Sequence, residues 1–161
     1  MDAKLRQKIL RMLSNGVYVL TSRSEDRYGA ATVTWVSQVS FKPPLLMAAV
    51  RQKSKVFQCL AQSRLAALHI VGDCQQDIAR RFFFPTDAVH GKINGEPFCE
   101  GRTSVPILAS LPAHIECSVE RVIDTGGDHA VVILGVVEAE CPERPAVRPL
   151  TIAQTPWVYG G

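Results

Sequence analysis

Five consecutive residues, Arg51-Gln52-Lys53-Ser54-Lys55, place three cations and a hydroxyl directly ahead of the apolar stretch Val56-Phe57-Gln58-Cys59-Leu60. Ser54 reads as the N-cap of a short helix over 55–62. Unpaired N–H groups, the positive end of the helix dipole and cationic side chains would then converge where a phosphate could sit. The same residues also suit a solvated cap with exposed charges. A hydroxyl-rich strand, Thr32-Val33-Thr34-Trp35-Val36-Ser37-Gln38-Val39-Ser40, precedes this segment. A period of two puts Thr32, Thr34 and Ser40 on one face and Trp35 and Ser37 on the other, with hydroxyls facing either ligand or solvent. Gly126-Gly127-Asp128-His129 sets a histidine at the start of a strand just past a tight turn, while His69 and His114 fall inside apolar strands and read as structural. No G-x-S-x-G signature accompanies any histidine, and Glu138 and Glu140 read as solvated charge, so a hydrolase has no anchor.

These residues need elements to hold them. Leu5, Ile9, Met12 and Leu13 recur at helical spacing before Asn15-Gly16, which predicts a helix over 2–14 lying on one face of a sheet. Val17 to Ser22 predicts a strand, Arg23 to Gly29 a hairpin turn, and Ala30 to Phe41 one long strand. Leu45 to Val50 follows the Pro43-Pro44 break as a strand buried on both faces. Leu65 to Val71 predicts another strand, with Asp73 capping a helix to about Phe83. Residues 84–112 read as a long loop with a short strand or two. His114–Asp124 and His129–Glu140 predict a hairpin, and Trp157-Val158-Tyr159 a last edge strand after a proline-rich stretch. The sum is a mainly β chain, a six- to seven-stranded antiparallel split barrel of Greek-key type with two or three short helices. Without G-x-G-x-x-G or G-x-x-x-x-G-K-[ST], a doubly wound nucleotide fold is disfavoured.

The length of 161 residues suits one domain over 1–161. With 47% hydrophobic and 20% charged residues, disordered and fibrous classes are excluded, and no apolar run approaches a membrane span. Charges rather than an apolar core follow Met1, which predicts a cytoplasmic protein. Cys59, Cys74, Cys99, Cys117 and Cys141 are too widely spaced for a local zinc site or disulfide framework, so free thiols and no metal are expected. Residues 1–81 carry 13 Lys/Arg against 5 Asp/Glu, and 82–161 carry 5 against 10. The basic half points to an anion; scattered cations without aromatic interleaving disfavour nucleic acid, and a phosphorylated small molecule fits better.

In order and spacing, Gly16 to Thr21, Ala30 to Leu45 with its Val39-Ser40-Phe41-Lys42-Pro43-Pro44 register, Lys53-Ser54-Lys55, Gln75 to Phe82 and Gly127-Asp128-His129 together resemble the flavin reductase family of FMN-binding split-barrel proteins. The resemblance spans nearly the whole chain. Ala30 and Trp35 stand where the family commonly carries a glycine and a serine.

That resemblance implies flavin resting on the strand Thr32 to Ser37, with Thr32, Val33, Thr34, Trp35 and Ser37 as contacts. Its phosphate would be taken by Arg51, Lys53, Ser54, Lys55 and Arg81, and His129 would be the catalytic position that receives the nicotinamide donor. The implied activity is that of an NAD(P)H-dependent flavin reductase. It would use FMN, or FAD, with NADH or NADPH as co-substrate, transfer a hydride to flavin N5, and pass electrons to free flavin, ferric iron or a protein partner. A homodimer is implied likewise. The alternatives are a non-catalytic split-barrel flavin or haem binder and, ranked last, a pyridoxamine-phosphate-type oxidase. The latter wants a basic clamp near the end of the chain, and no Lys or Arg follows Arg148.

Overall fold

A computed structural model describes residues 2–142 and 147–160. Helix α1 spans Ala3–Leu10, capped by the Asp2 side chain. It ends earlier than the periodicity predicts and buries no residue, so the expected sheet contact is not made. Strands β1 (Tyr18–Ser24) and β2 (Arg27–Val33) form a hairpin turned by Glu25 and Asp26 alone, tighter than the expected turn over 23–29, with Glu25 taking a positive φ.

The stretch expected as one strand over 30–41 is two. It breaks at Thr34-Trp35, and β3 (Val36–Ser40) pairs with β4 (Leu45–Arg51) on the far side of the Pro43-Pro44 turn. Helix α2 (Lys55–Ser63) and β5 (Leu65–Ile70) follow. Helix α3 is only Gln76–Arg81, and its cap position is Gln75 without a side-chain bond, not Asp73. The segment expected as loop forms four short strands, β6 (Ala88–Val89), β7 (Lys92–Ile93), β8 (Glu96–Glu100) and β9 (Pro106–Leu108), in a small antiparallel sheet. The long hairpin is β10 (Ala113–Asp124) and β11 (His129–Glu140). Trp157-Val158-Tyr159 is not a strand; it follows a 3-10 turn at Ile152–Gln154 without joining a sheet. No helix among the described residues is long and apolar enough to cross a membrane.

The main sheet runs β2-β1-β5-β10-β11-β4-β3, antiparallel throughout. Its two edges, β2 and β3, are neighbours in sequence with only Thr34 and Trp35 between them. Two residues span at most about 10 Å, counting three Cα steps of roughly 3.8 Å at less than full extension. The sheet must therefore curl until its edges nearly meet, which explains the split-barrel shape. Inside the curl lie Leu20, Val50, Leu60, Leu68, Val132 and Leu134, with α2 plugging one end. Outside, Val17, Val19, Phe82, Ile93 and Leu108 form a second core beneath α3 and the small sheet. The strands covered on both faces are thus β1 and β5, whereas β4 is only half-buried at Leu45, Leu46, Met47 and Ala49.

His69 ties these layers together. The Leu108 N–H donates to Nε2 at 3.0 Å, so the ring proton sits on Nδ1, which donates to the Val19 carbonyl at 3.1 Å. Complete burial pushes this histidine down to about 3. The unfolded chain, with a pKa near 6.5, binds the proton that the folded chain refuses. Stability contributed by neutral His69 is therefore complete above about pH 6.5 and falls by roughly 1.4 kcal/mol per pH unit as pH drops toward 3. We expect the His69 ring signals in an NMR titration to stay those of a neutral imidazole down to about pH 4, while denaturant midpoints decline over the same range. A ring titrating near 6.5 would contradict this packing.

Candidate functional site

A cavity of about 670 Å³ opens where the sheet edges meet. That is within the range of small-molecule and cofactor sites. Its floor is the seam itself, residues Ala30 to Trp35 with Ala49 and Arg51 of β4 alongside. The seam is pinned without a ladder: the Ala49 N–H donates to the Trp35 carbonyl at 2.9 Å, and the Thr32 N–H to the Phe82 carbonyl at 3.2 Å. Thr34 is 5% exposed, and its hydroxyl has no hydrogen-bond partner. Buried polar atoms are almost always paired, so an orphan in a cavity wall marks a place where a ligand atom is expected. Thr32, by contrast, spends its hydroxyl on the Ala79 carbonyl at 2.6 Å. We expect Thr34→Val to stabilise the ligand-free protein by about 1–3 kcal/mol, the cost of an unpaired buried hydroxyl, while weakening ligand binding by about fivefold. Parallel melting and titration experiments test this, and two effects of the same sign would argue against a ligand contact.

One end of the cavity is the start of α2. Ser54 caps the helix, accepting the Phe57 N–H at 3.2 Å and donating to the Arg51 carbonyl at 2.7 Å. Lys55 reaches across to donate to the Thr86 carbonyl at 2.8 Å, and Arg51 and Lys53 are exposed cations beside it. The first turn of α2 rests on Gly29 of β2, where an added Cβ would lie 2.4 Å from Val56 Cα. One side wall is Phe83-Phe84-Pro85-Thr86. It is laced to β2 because the Ala30 N–H donates to the Thr86 hydroxyl at 3.0 Å and that hydroxyl donates to the Ala30 carbonyl at 3.1 Å.

Beside the start of α2 stands the β10–β11 hairpin. Pairing of β11 with β4 sets His129 opposite Arg51, and the Gln52 N–H donates to the Asp128 carbonyl at 3.1 Å. Two sequence segments far apart in the chain are thereby fixed side by side. His129 is buried, with Nδ1 2.7 Å from the Asp128 carboxylate and Nε2 3.1 Å from the Tyr159 hydroxyl. The hydrogen bond from His129 holds the Asp128 carboxyl below its ordinary range. Trp35 packs on both rings, 4.9 Å from His129 and 5.3 Å from Tyr159 between centroids.

Thr32, Val33, Thr34, Trp35, Arg51, Lys53, Ser54, Lys55 and His129 all line this cavity. Ser37 and Arg81 lie outside it. The break at the seam leaves Ser37 exposed, its hydroxyl on the Gln38 carbonyl, and Arg81 in the last turn of α3 faces the small sheet, paired with Glu96 at 2.5 Å. Trp35 and Thr34 share the cavity although strict alternation puts them on opposite faces. Sequence reasoning misses the aromatic side wall and the Trp157–Tyr159 segment as site residues. The run Phe82-Phe83-Phe84, too apolar for a helix exit, is the one signal that could point to them.

A curled antiparallel sheet whose seam holds a cavity, with a cationic helix start and aromatic rings around it, could hold a planar ring compound that carries phosphate. The chain belongs to the flavin reductase like domain family, whose model matches residues 10–157. It is 32% identical over 145 residues to the flavin reductase (NADH) of Kitasatospora aureofaciens, covering 88% of this chain and 73% of that one. Similarity to the reductase subunit of a flavin-dependent monooxygenase from Mycobacterium tuberculosis is 28% over 148 residues, 92% and 76% of the two chains. Among solved structures, an NADH:FAD oxidoreductase of Streptomyces globisporus in complex with NAD and FAD fragments superposes with a TM-score of 0.75 at 25% identity, covering 92% of this chain and 86% of that one.

Proposed function

We propose that this protein is an NAD(P)H-dependent flavin reductase with FMN as the flavin that fits its site most directly. The observation that carries the reading is the pairing, in one cavity, of the unpartnered Thr34 hydroxyl with the capped, cation-flanked start of α2. Ring atoms rich in acceptors suit the first and a terminal phosphate suits the second. The chemistry a bound flavin supplies is acceptance of a hydride at ring nitrogen N5 and delivery of the electrons to free flavin, ferric iron or a protein partner.

The protein's own part is positioning. Thr34 and the backbone of Thr32 to Trp35 orient the ring, while the first-turn amides of α2 with Lys53 and Lys55 hold the phosphate. His129, opposite Arg51 in the β4–β11 ladder, orients the donor, its ring fixed by Asp128. The aromatic walls exclude water. Positioning of this kind is what hydride transfer chiefly requires. The names borne by the relatives favour NADH, and the monooxygenase subunit among them favours a partner enzyme as acceptor. A homodimer is part of the proposal, because Leu5, Ile9 and Leu10 of α1 and Met12 and Leu13 just after it are exposed, and Phe41 is 85% exposed.

The test is a visible spectrum of flavin-loaded protein before and after anaerobic NADH or NADPH. Loss of absorbance near ~450 nm with a pyridine nucleotide is the expected result. Colour that neither donor bleaches would favour the non-catalytic flavin binder, and failure to bind added FMN would end the flavin reading.

A further inference from the structure

Residues 155–160 carry Trp157, Val158 and Tyr159 into the cavity wall without any sheet pairing. The Trp157 N–H donates to the Thr155 hydroxyl at 3.2 Å, and the Gly160 carbonyl accepts from Arg11 Nε at 3.0 Å. Thr155 also donates to the Ile152 carbonyl through its N–H and its hydroxyl, and the rest is ring packing, Trp157 edge-on to Phe83 at 4.7 Å and against the second core, and Tyr159 against Trp35, with the Tyr159 hydroxyl on His129. A stretch held by a few side-chain contacts opens at far lower cost than a strand in a ladder.

Tyr159 occupies a slot with a definite chemistry. Its ring packs against the indole of Trp35 at 5.3 Å between centroids, and Trp35 itself packs on His129 at 4.9 Å. Its hydroxyl lies 3.1 Å from Nε2 of His129, whose Nδ1 is 2.7 Å from the Asp128 carboxylate. The slot therefore suits a six-membered aromatic ring with a hydrogen-bonding group at its edge. A nicotinamide has both features, since its carboxamide N–H₂ projects from the ring as the phenol O–H does from tyrosine.

We propose that Tyr159 is an internal surrogate for the nicotinamide, latched against Trp35 and His129 until the donor displaces it, so that donor binding and opening of segment 155–160 are one event. The inference rests on the reductase reading for the identity of the donor. If the slot is closed most of the time, apparent donor affinity is reduced by the closed fraction, and weakening the latch raises it.

The test titrates NAD⁺, which cannot reduce the flavin, into flavin-loaded wild type and Tyr159→Phe by calorimetry, alongside steady-state NADH oxidation. Loss of the O–H removes the bond to His129 while keeping the ring and its packing. Tyr159→Phe is expected to bind NAD⁺ about three- to tenfold more tightly, and to lower KM for NADH by a similar factor. Equal or weaker NAD⁺ binding would overturn the latch, showing Tyr159 to be a fixed wall or a direct donor contact. Tyr159→Ala separates the cases again, because a latch predicts tighter binding and a wall predicts weaker. Tighter binding without turnover in either protein would keep the latch and remove the reductase; turnover with unchanged affinity would do the reverse.

Discussion

Replacing Ser54 and Lys55 together by alanine is expected to weaken FMN binding by well over tenfold and to leave riboflavin, which lacks the phosphate, nearly unaffected. Two effects add. Loss of the Ser54 cap costs about 1 kcal/mol at the helix start and loosens the first-turn amides that would face the phosphate. Loss of Lys55 removes a cation and also the bond to the Thr86 carbonyl that ties α2 to the aromatic wall. Flavin fluorescence titrations with both ligands check this. Equal losses for FMN and riboflavin would mean that the segment only supports the cavity; unchanged FMN affinity would remove it from the site.

The second large effect is expected from a single methyl group. In Gly29→Ala the added Cβ would meet the Val56 backbone at 2.4 Å from Cα and 2.6 Å from N, and backbone atoms cannot swing aside as a flexible side chain can. The first turn of α2 must lift from β2. Overpacking of this kind costs about 1–3 kcal/mol, which for a chain of this size lowers the melting midpoint by roughly 5 °C. Because the displaced turn is the one proposed to hold phosphate, FMN affinity should fall more than tenfold as well, in a variant that touches no ligand. Melting curves and the same titration decide it; a variant that melts normally and binds FMN normally would show that α2 is not fixed at Gly29.

Much of this arrangement is legible in the amino-acid sequence. The helix start at Ser54 is readable because a cap residue, cations and an apolar period occur together within a few residues, and local sequence determines local geometry there. The strands of the main sheet are readable from β-branched enrichment. The break at Thr34-Trp35 is not: both residues favour strands, and what separates β2 from β3 is the need to reach partners on opposite edges of the sheet, a long-range constraint with no local signature. For the same reason Trp35 cannot be placed beside Thr34 by counting. The small sheet over 88–108 escapes because its strands are two to five residues long and patterned too briefly for a period to show. Tyr159 escapes because its role depends on contacts with Trp35 and His129, both distant in sequence, and not on any periodicity of its own neighbours.

The seam has an evolutionary consequence. Thr34 and Trp35 both line the cavity, while the backbone duty there, acceptance of the Ala49 N–H by the Trp35 carbonyl, is indifferent to side-chain identity. Strand alternation, which elsewhere forces each substitution to satisfy a core face or a solvent face, is suspended for these two residues. Mutation can therefore resculpt what the cavity accepts without passing through unfolded intermediates, and a lineage built on this scaffold can change its ligand far more freely than it can change its shape.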